Sequence, residues 1–412
     1  ASMETYVILG ITGSIAAYKT PELARLFVAD GLKVRTVLTK SAMKFVTPMV
    51  METLTGYPAL SDIFSAPLAH ISIPKGGDAF VIAPASLNTL SKFAAGLADN
   101  LLTTMLMAFR GNVLVAPAMN WRMYENPIFQ DKLNYLKSKG IIEIPPVKGN
   151  LACGEEGIGK MASPETILHY VKRALSKQDL YGKKIIVTAG PTREYIDPVR
   201  FISNRSSGKM GYAIARAAFE RGATVTLISG PTSLPTSDCF ELIRVETSEE
   251  MEKEVYNHTG DADILVMSAA IADFKPEEIR SEKYSRSDGL SLNLVKTNDI
   301  VAGIASRRPR PFIVGFSAET GNRLDRAREK MALKGIDMMV FNDVTAEGAG
   351  FDVDTNIITI ITGNEALEAL EALNDPLKYT FPMPKMTKDK AAHAIFDKIH
   401  EVIKRKTSHG KL

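Results

Sequence analysis

Asn112-Val-Leu-Val-Ala-Pro117-Ala-Met119-Asn120-Trp121-Arg-Met123-Tyr124 is the stretch that decides the fold. Residues 113–116 form an unbroken apolar run, the pattern of a parallel strand buried on both faces. Pro117 ends it, and Asn120 is the next polar side chain. In open α/β sheets, ligands collect just beyond the carboxyl ends of strands. A carboxamide placed there offers two donors and an acceptor without a change of charge, which suits either a carboxylate or a flavin edge.

The same pattern repeats outward from that segment. Strands are expected over 6–9, 33–38 and 79–83, with helices over 23–30, 87–95 and 164–175. Leu23, Leu26 and Phe27 have helical spacing, and Gly31 fits the position just past a helix end. At 176–184 a polar stretch precedes a restart. Further strands are expected over 185–189, 224–229, 264–268, 312–316, 338–341 and 357–361, with helices over 210–221 and 387–404. Such alternation predicts parallel sheets covered by helices. With 412 residues the chain exceeds one ordinary core, so two domains are expected, 1–180 and 181–412.

Composition narrows the function. Lys+Arg 50 against Asp+Glu 47 leaves a formal charge of +3, which argues against a duplex nucleic-acid surface. No apolar run approaches the roughly 20 residues of a membrane helix. Residues 1 and 2 precede Met3 as apparent additions, and no secretion signal is read before the first strand. Two cysteines, Cys153 and Cys239, make no disulfide framework, which predicts a reducing cytoplasm.

Two loops in the first half carry small donors. Thr12-Gly13-Ser14 follows the first strand, where glycine and a helix N-terminus admit an anion; a tight turn is the alternative. Ala83-Pro84-Ala85-Ser86-Leu87-Asn88-Thr89 follows the third, where Ser86 or Asn88 would equally serve as helix caps. His70 stands before an expected strand at 70–73, an ordinary surface position by itself. Cys153 sits in Asn150-Leu-Ala-Cys-Gly154-Glu-Glu-Gly157-Ile-Gly159, read as a flexible glycine-rich loop; Cys239 is read as structural.

With Pro117-Ala118-Met119-Asn120-Trp121-Arg122-Met123, these loops resemble the flavin-binding cysteine decarboxylases. The second half makes the resemblance one to bifunctional phosphopantothenoylcysteine decarboxylase/phosphopantothenate–cysteine ligases of coenzyme A biosynthesis, over nearly the whole chain. The implied fold is a flavodoxin-like, doubly wound α/β domain followed by a Rossmann-like α/β ligase domain. By that resemblance FMN is held by Gly13, Ser14, Thr39, Ser86, Asn88 and Thr89. His70 is the active-site histidine, Asn120 holds the substrate carboxylate, and Cys153 lies on a loop closing over substrate as proton donor. The family's Pro-x-Met-Asn-x-x-Met-Trp signature ends here in Tyr124. The chemistry fits: oxidation of the cysteine side chain to a thioaldehyde places C=S beta to the carboxylate, so loss of CO₂ yields a stabilised enethiolate.

In the second half, Ala189-Gly190-Pro191-Thr192 and Ser203-Asn204-Arg205-Ser206-Ser207-Gly208-Lys209 place hydroxyls, glycine and lysine at a helix start, a triphosphate-cradle pattern without P-loop spacing. Ser268-Ala269-Ala270-Ile271-Ala272-Asp273 ends another strand, and Asp273 would serve as a helix cap or as a nucleotide or Mg²⁺ contact. The resemblance implies that phosphopantothenate is activated by CTP as an acyl-cytidylate and coupled to L-cysteine. Asn204 then contacts the acyl intermediate, and Lys283, on a flap over 277–291, assists its formation. The family's Lys-x-Lys-Lys is Lys283-Tyr284-Ser285-Arg286 here. CTP contacts carried over are Ser268, Ala269, Asp273, Lys283, Asn298, Asp299, Ile300, Val301, Phe316, Lys330 and Lys334, with Asp273 the Mg²⁺ ligand. Lys330 and Lys334 share a helix face that would otherwise be solvated. The resemblance also implies trimeric decarboxylase heads with the site at the interface and dimeric ligase heads, compatible with a dodecamer. The alternatives are a related flavin enzyme acting on peptidyl cysteine, opposed by the nucleotide-type second half, and a flavin-fold regulatory binding protein, which loss of His70 or an acidic tail would favour.

Overall fold

The computed structural model describes residues 6–64, 67–150, 154, 156–283, 290–319, 324–343, 353–363 and 379–409. Cys153 and Tyr284 to Arg286 of the flap lie outside them. The chain divides into two units, Ala1–Lys177 and Gln178–Leu412.

The first unit is built on β1 (Tyr6–Ile11), β2 (Val34–Leu38), β3 (Gly77–Ala85), β4 (Asn112–Pro117) and β5 (Ile142–Glu143), in the spatial order 2-1-3-4-5. All pairings are parallel, with Val7 opposite both Val34 and Ala79. This is the flavodoxin-like order, in which connections leave in opposite directions from β1 and β3 and open a crevice between their carboxyl ends. The period of two divides each strand between two cores. Val7, Leu9 and Ile11 pack beneath α1 (Thr20–Ala29), through Leu23 and Phe27. Ile8, Phe80 and Ile82 face the opposite layer with Leu102 and Met105.

Further helices are α2 (Pro48–Thr55), α3 (Ala69–Gly76), α4 (Leu87–Ala94), α5 (Leu101–Ala108), α6 (Trp121–Tyr124), α7 (Pro127–Ser138) and α8 (Pro164–Leu175). Two expectations are corrected. His70 does not precede a strand: it lies in the first turn of α3, where Ala69 and Pro74 are buried and the Ile71 side chain is exposed. Nor is the glycine-rich segment simply a flexible loop. Asn150 and residues 156–159 of it belong to an antiparallel pair of β6 (Val147–Asn150) and β7 (Glu156–Lys160), and Gly154 is a bend. Gly157 and Gly159 are needed there, because added Cβ atoms would fall 2.5 Å from Trp121 and 2.2 Å from the Met119 carbonyl oxygen.

The second unit begins at β8 (Lys184–Ala189), the hub of an eight-stranded sheet. Glu241–Arg244, Thr224–Ser229, β8, Ile264–Met267, Phe312–Glu319 and Met338–Asp343 run parallel in that order. This is the 3-2-1-4-5-6 order of a doubly wound Rossmann sheet. Ile358–Ile361 and Thr380–Pro382 extend it antiparallel. The helix α9 (Lys209–Glu220) packs its alanine-rich face on the sheet; Gly211 permits this, since a Cβ there would lie 2.5 Å from Ala189. Among the described residues no helix is long and apolar enough to cross a membrane.

Candidate functional sites at two sheet switch points

In the first unit a cavity of about 1100 Å³ opens at the carboxyl ends of β1, β3 and β4. Gly13, Ser14, Thr39, Ser86, Asn88 and Thr89 all line it. So does Asn120, at the base of the β4 loop. The volume is at the upper end for small-molecule sites and has room for a mononucleotide and a second ligand.

Buried backbone ties hold the lining loops together. The Thr12 hydroxyl donates to the Pro84 carbonyl at 2.6 Å and accepts from the Ser86 amide at 2.9 Å, so one side chain locks the first loop to the second. Gly13 presses on the loop after β2: a Cβ would come within 2.3 Å of Ser41 Cβ. Ser86 is both wall and cap, accepting from the Thr89 amide at the start of α4. The functional and capping readings therefore coexist.

Asn120 is held in the same way. Its Oδ1 accepts from the Arg122 amide at 2.9 Å, while the Met119 amide donates to the Gly159 carbonyl at 3.0 Å and binds the loop to β7. Tyr124, where the family signature has tryptophan, does not line this cavity among the described residues. Its hydroxyl donates to Glu143 at 2.6 Å and its ring packs on Phe129, with burial and the Glu143 carboxylate pushing the phenol pKa well upward. Met123 faces the cavity instead.

His70 is not on the cavity wall of its own chain. Its Nδ1 is buried without a hydrogen-bond partner among the described residues. Leu68, two residues earlier, has φ 56, the one non-glycine left-handed conformation described. Such strain and unmet polarity cluster at functional positions. Sequence reasoning missed Lys19, Lys40, Lys160 and Met161, which also line the cavity; isolated lysines carry no spacing signal.

In the second unit the loops after β8 and after Ile264–Met267 meet at the corresponding switch point. Ser268 Oγ donates to the Thr188 carbonyl at 2.6 Å, and the Ala269 amide donates to Thr188 Oγ1 at 3.2 Å. The Ala272 amide reaches Thr192 Oγ1 at 3.0 Å, and Asn204 Nδ2 donates to the Ile271 carbonyl at 2.9 Å. Asn204 and 268–273 thus form one edge, closed by Gly190 and Gly208 with φ 73 and 74 at the head of α9.

Several expected nucleotide contacts have structural duties there. Asp299 caps Ile300–Ala305 through the Ala302 amide and pairs with Lys334 at 3.0 Å. Asn298 Nδ2 donates to Glu252 at 2.8 Å, and Lys209 pairs with Asp354 at 2.7 Å. Lys334 therefore is not on a merely solvated face. Ile300 is buried, Val301 packs on the same core, and Phe316 and Lys330 are half-buried. Lys283 and Asp273 are exposed. Among the described residues no three His, Cys, Asp or Glu side chains converge on a metal position. Cys239 is buried.

Two family models cover these units. One described as Flavoprotein matches residues 2–176, and one described as DNA/pantothenate metabolism flavoprotein C-terminal domain matches 180–403. The coenzyme A biosynthesis bifunctional protein CoaBC of Vibrio parahaemolyticus serotype O3:K6 is 40% identical over 380 residues, covering 89% of this chain and 95% of its own length. Its counterpart in Escherichia coli K12 is 41% identical over 362 residues, 85% of this chain and 89% of its own. A crystal structure of a CoaBC C-terminal domain is 33% identical, covers 56% of this chain and 100% of its own, and gives a TM-score of 0.45. The chain belongs to the bifunctional coenzyme A biosynthesis family, in which a flavoprotein phosphopantothenoylcysteine decarboxylase is joined to a phosphopantothenate–cysteine ligase.

Proposed function

We propose that the second unit condenses phosphopantothenate with L-cysteine at the expense of CTP, and that the first unit decarboxylates the product with FMN. The carrying observation is the cavity at the β1/β3 switch point, whose walls unite Gly13, Ser14, Thr39, Ser86, Asn88, Thr89 and Asn120. These residues suit FMN: Gly13 leaves the first loop close against the Ser41 loop, and the small hydroxyls of Ser14, Thr39, Ser86 and Thr89 line the wall. When bound, FMN supplies reversible two-electron oxidation of the cysteine side chain, which makes its carboxylate able to leave.

The chain's own residues orient and protonate. Asn120, fixed by its cap, holds the departing carboxylate without adding charge. Cys153 returns a proton to the enethiolate. His70 assists proton removal from across a subunit boundary, within a trimer of decarboxylase heads. Its orphaned Nδ1, the strained Leu68 and the exposed Phe64, Leu68 and Ile71 support that placement.

In the ligase unit, Asn204 and the 268–273 edge seat the acyl-cytidylate, and the Lys283 ammonium balances charge developing between carboxylate and phosphate. Asn298 to Val301, Phe316, Lys330 and Lys334 surround the nucleotide. Mg²⁺ enters with the CTP phosphates, and Asp273 as a lone exposed carboxylate suits an ion that keeps most of its waters. The ligase heads dimerise. A cytoplasmic setting fits a thiol substrate and a nucleoside triphosphate.

Incubation of phosphopantothenate and cysteine with each nucleoside triphosphate, following pyrophosphate and CO₂ separately, tests this. CTP should release pyrophosphate first and CO₂ after it. Pyrophosphate release that is equal for all nucleotides, or no CO₂ from supplied phosphopantothenoylcysteine, overturns the respective half.

A further inference from the structure

The helix that carries His70 is poorly equipped to hold itself in place. α3 has eight residues, and Leu68 before it adopts φ 56 and makes no side-chain capping bond. Isolated helices shorter than about 12 residues are marginal in water. Pro74 lies inside the helix and has no amide to donate, so the His70 carbonyl lacks its usual partner four residues on. At the far end the Gly77 amide turns back to the Pro74 carbonyl. The Ile73 carbonyl is thereby left to a donor outside the helix.

Tyr6 is that donor. Its hydroxyl donates to the Ile73 carbonyl at 2.7 Å, the one side-chain hydrogen bond made to α3 among the described residues. Tyr6 opens β1 and packs with Ile73 against the core that contains Ile8 and Phe80. Its ring abuts the helix end, since a Cβ at Gly76 would lie 3.0 Å from the hydroxyl. From β2, the guanidinium carbon of Arg35 lies 5.5 Å from the centre of the Tyr6 ring and 4.0 Å from that of Tyr57. Such cation–π contacts join the two rings and steady the first. Burial raises the Tyr6 pKa above its ordinary value, with the Arg35 charge opposing it, so the hydroxyl stays a donor at neutral pH.

Ile73 lies three residues after His70, about one helical turn on. The packing of Ala69 and Pro74 is non-directional, whereas the bond from Tyr6 has a preferred direction and fixes the rotation of that turn. We propose that Tyr6, steadied by Arg35 and Tyr57, is a positioning residue that sets the aim of His70. This rests on the reading of His70 as the group that assists proton removal. The substrate carboxylate is held by Asn120 on a different element, so the tie bears on turnover rather than on substrate affinity.

The test uses the full FMN-loaded chain with two variants. Tyr6→Phe keeps the ring and loses the hydroxyl; Arg35→Met keeps the hydroxyl and loses its support. CO₂ release from supplied phosphopantothenoylcysteine gives kcat and KM, and Trp121 fluorescence in urea reports the folding of the first unit. Tyr6→Phe should lower kcat about tenfold, less than the roughly 10²-fold of a 1 Å misplacement, because Ala69 and Pro74 still pack. KM and FMN content should stay within about twofold, and amide exchange in Ala69–Gly76 should accelerate. Arg35→Met should lower kcat by less and in the same way. In a His70→Asn background, Tyr6→Phe should change the residual kcat by less than about twofold, because the tie acts through His70. A Tyr6→Phe chain with parental kcat overturns the proposal. So does a parallel fall of kcat, KM performance, FMN content and urea midpoint, or a full tenfold loss repeated in the His70→Asn background. A His70→Asn chain that decarboxylates normally would instead remove the underlying reading of His70.

Discussion

Replacing Thr12 with valine removes one hydroxyl and two hydrogen bonds while nearly conserving side-chain volume. The hydroxyl is fully buried, donating to Pro84 at 2.6 Å and accepting from Ser86 at 2.9 Å. Valine presents a methyl group to both, and each buried polar group left unpaired costs about 1–3 kcal/mol. The Ser86 amide borders the cavity, where water can replace part of the lost bond, so the sum is roughly 2–4 kcal/mol. The chain's single tryptophan, Trp121, lies in the first unit, so its fluorescence in a urea titration follows that unit alone. The unfolding midpoint should fall by the equivalent of that loss. FMN affinity should fall with it, because the tie that sets the spacing between the Gly13 and Ser86 loops is gone. Thr12→Ser should keep most of both. A loss below about 0.5 kcal/mol, the range of ordinary surface substitutions, refutes the tie as an organising contact.

Gly159→Ala drives a Cβ to 2.2 Å from the Met119 carbonyl oxygen, so the Asn120 loop must move. CO₂ release should fall about tenfold or more while pyrophosphate release persists; normal decarboxylation would show the contact to be slack. Arg221→Met removes a buried cation that donates to Asp179 at 2.9 Å and Asp397 at 2.8 Å. Loss of one partner from a buried pair costs about 3–5 kcal/mol, nearer the low end here because Asp397 is exposed. Amide exchange in Lys388–His409 should accelerate, and unchanged protection there would contradict the link. Finally, oligomers reassembled from His70→Asn and Asn120→Asp chains should regain CO₂ release that neither has alone. No recovery despite demonstrated subunit exchange would place His70 within its own chain's site.

The strand–helix alternation was legible because buried parallel strands are continuous apolar runs, as in Tyr6–Ile11 and Asn112–Pro117. Strand order was not written in those runs; it came with the resemblance, and the two observed orders place the switch points beside the polar loops singled out. His70 was misread because Ile71 and Ile73 alternate as in a strand, although α3 buries Ala69 and Pro74 instead. Gly157 and Gly159 suggested mobility, and only tertiary packing against Trp121 and Met119 reveals that they permit close approach. Ion pairs such as Lys334–Asp299 depend on distant segments and leave no local pattern.

The central claim is that two separate switch points carry two separable reactions. Asn120→Asp and Asn204→Asp, assayed side by side for pyrophosphate and CO₂, test it most directly. The first places a charge where the substrate carboxylate would sit; the second replaces the amide donor that meets the Ile271 carbonyl. Asn120→Asp should release pyrophosphate and accumulate phosphopantothenoylcysteine without CO₂. Asn204→Asp should release CO₂ from supplied phosphopantothenoylcysteine and no pyrophosphate. Loss of both activities in either folded variant would contradict the account.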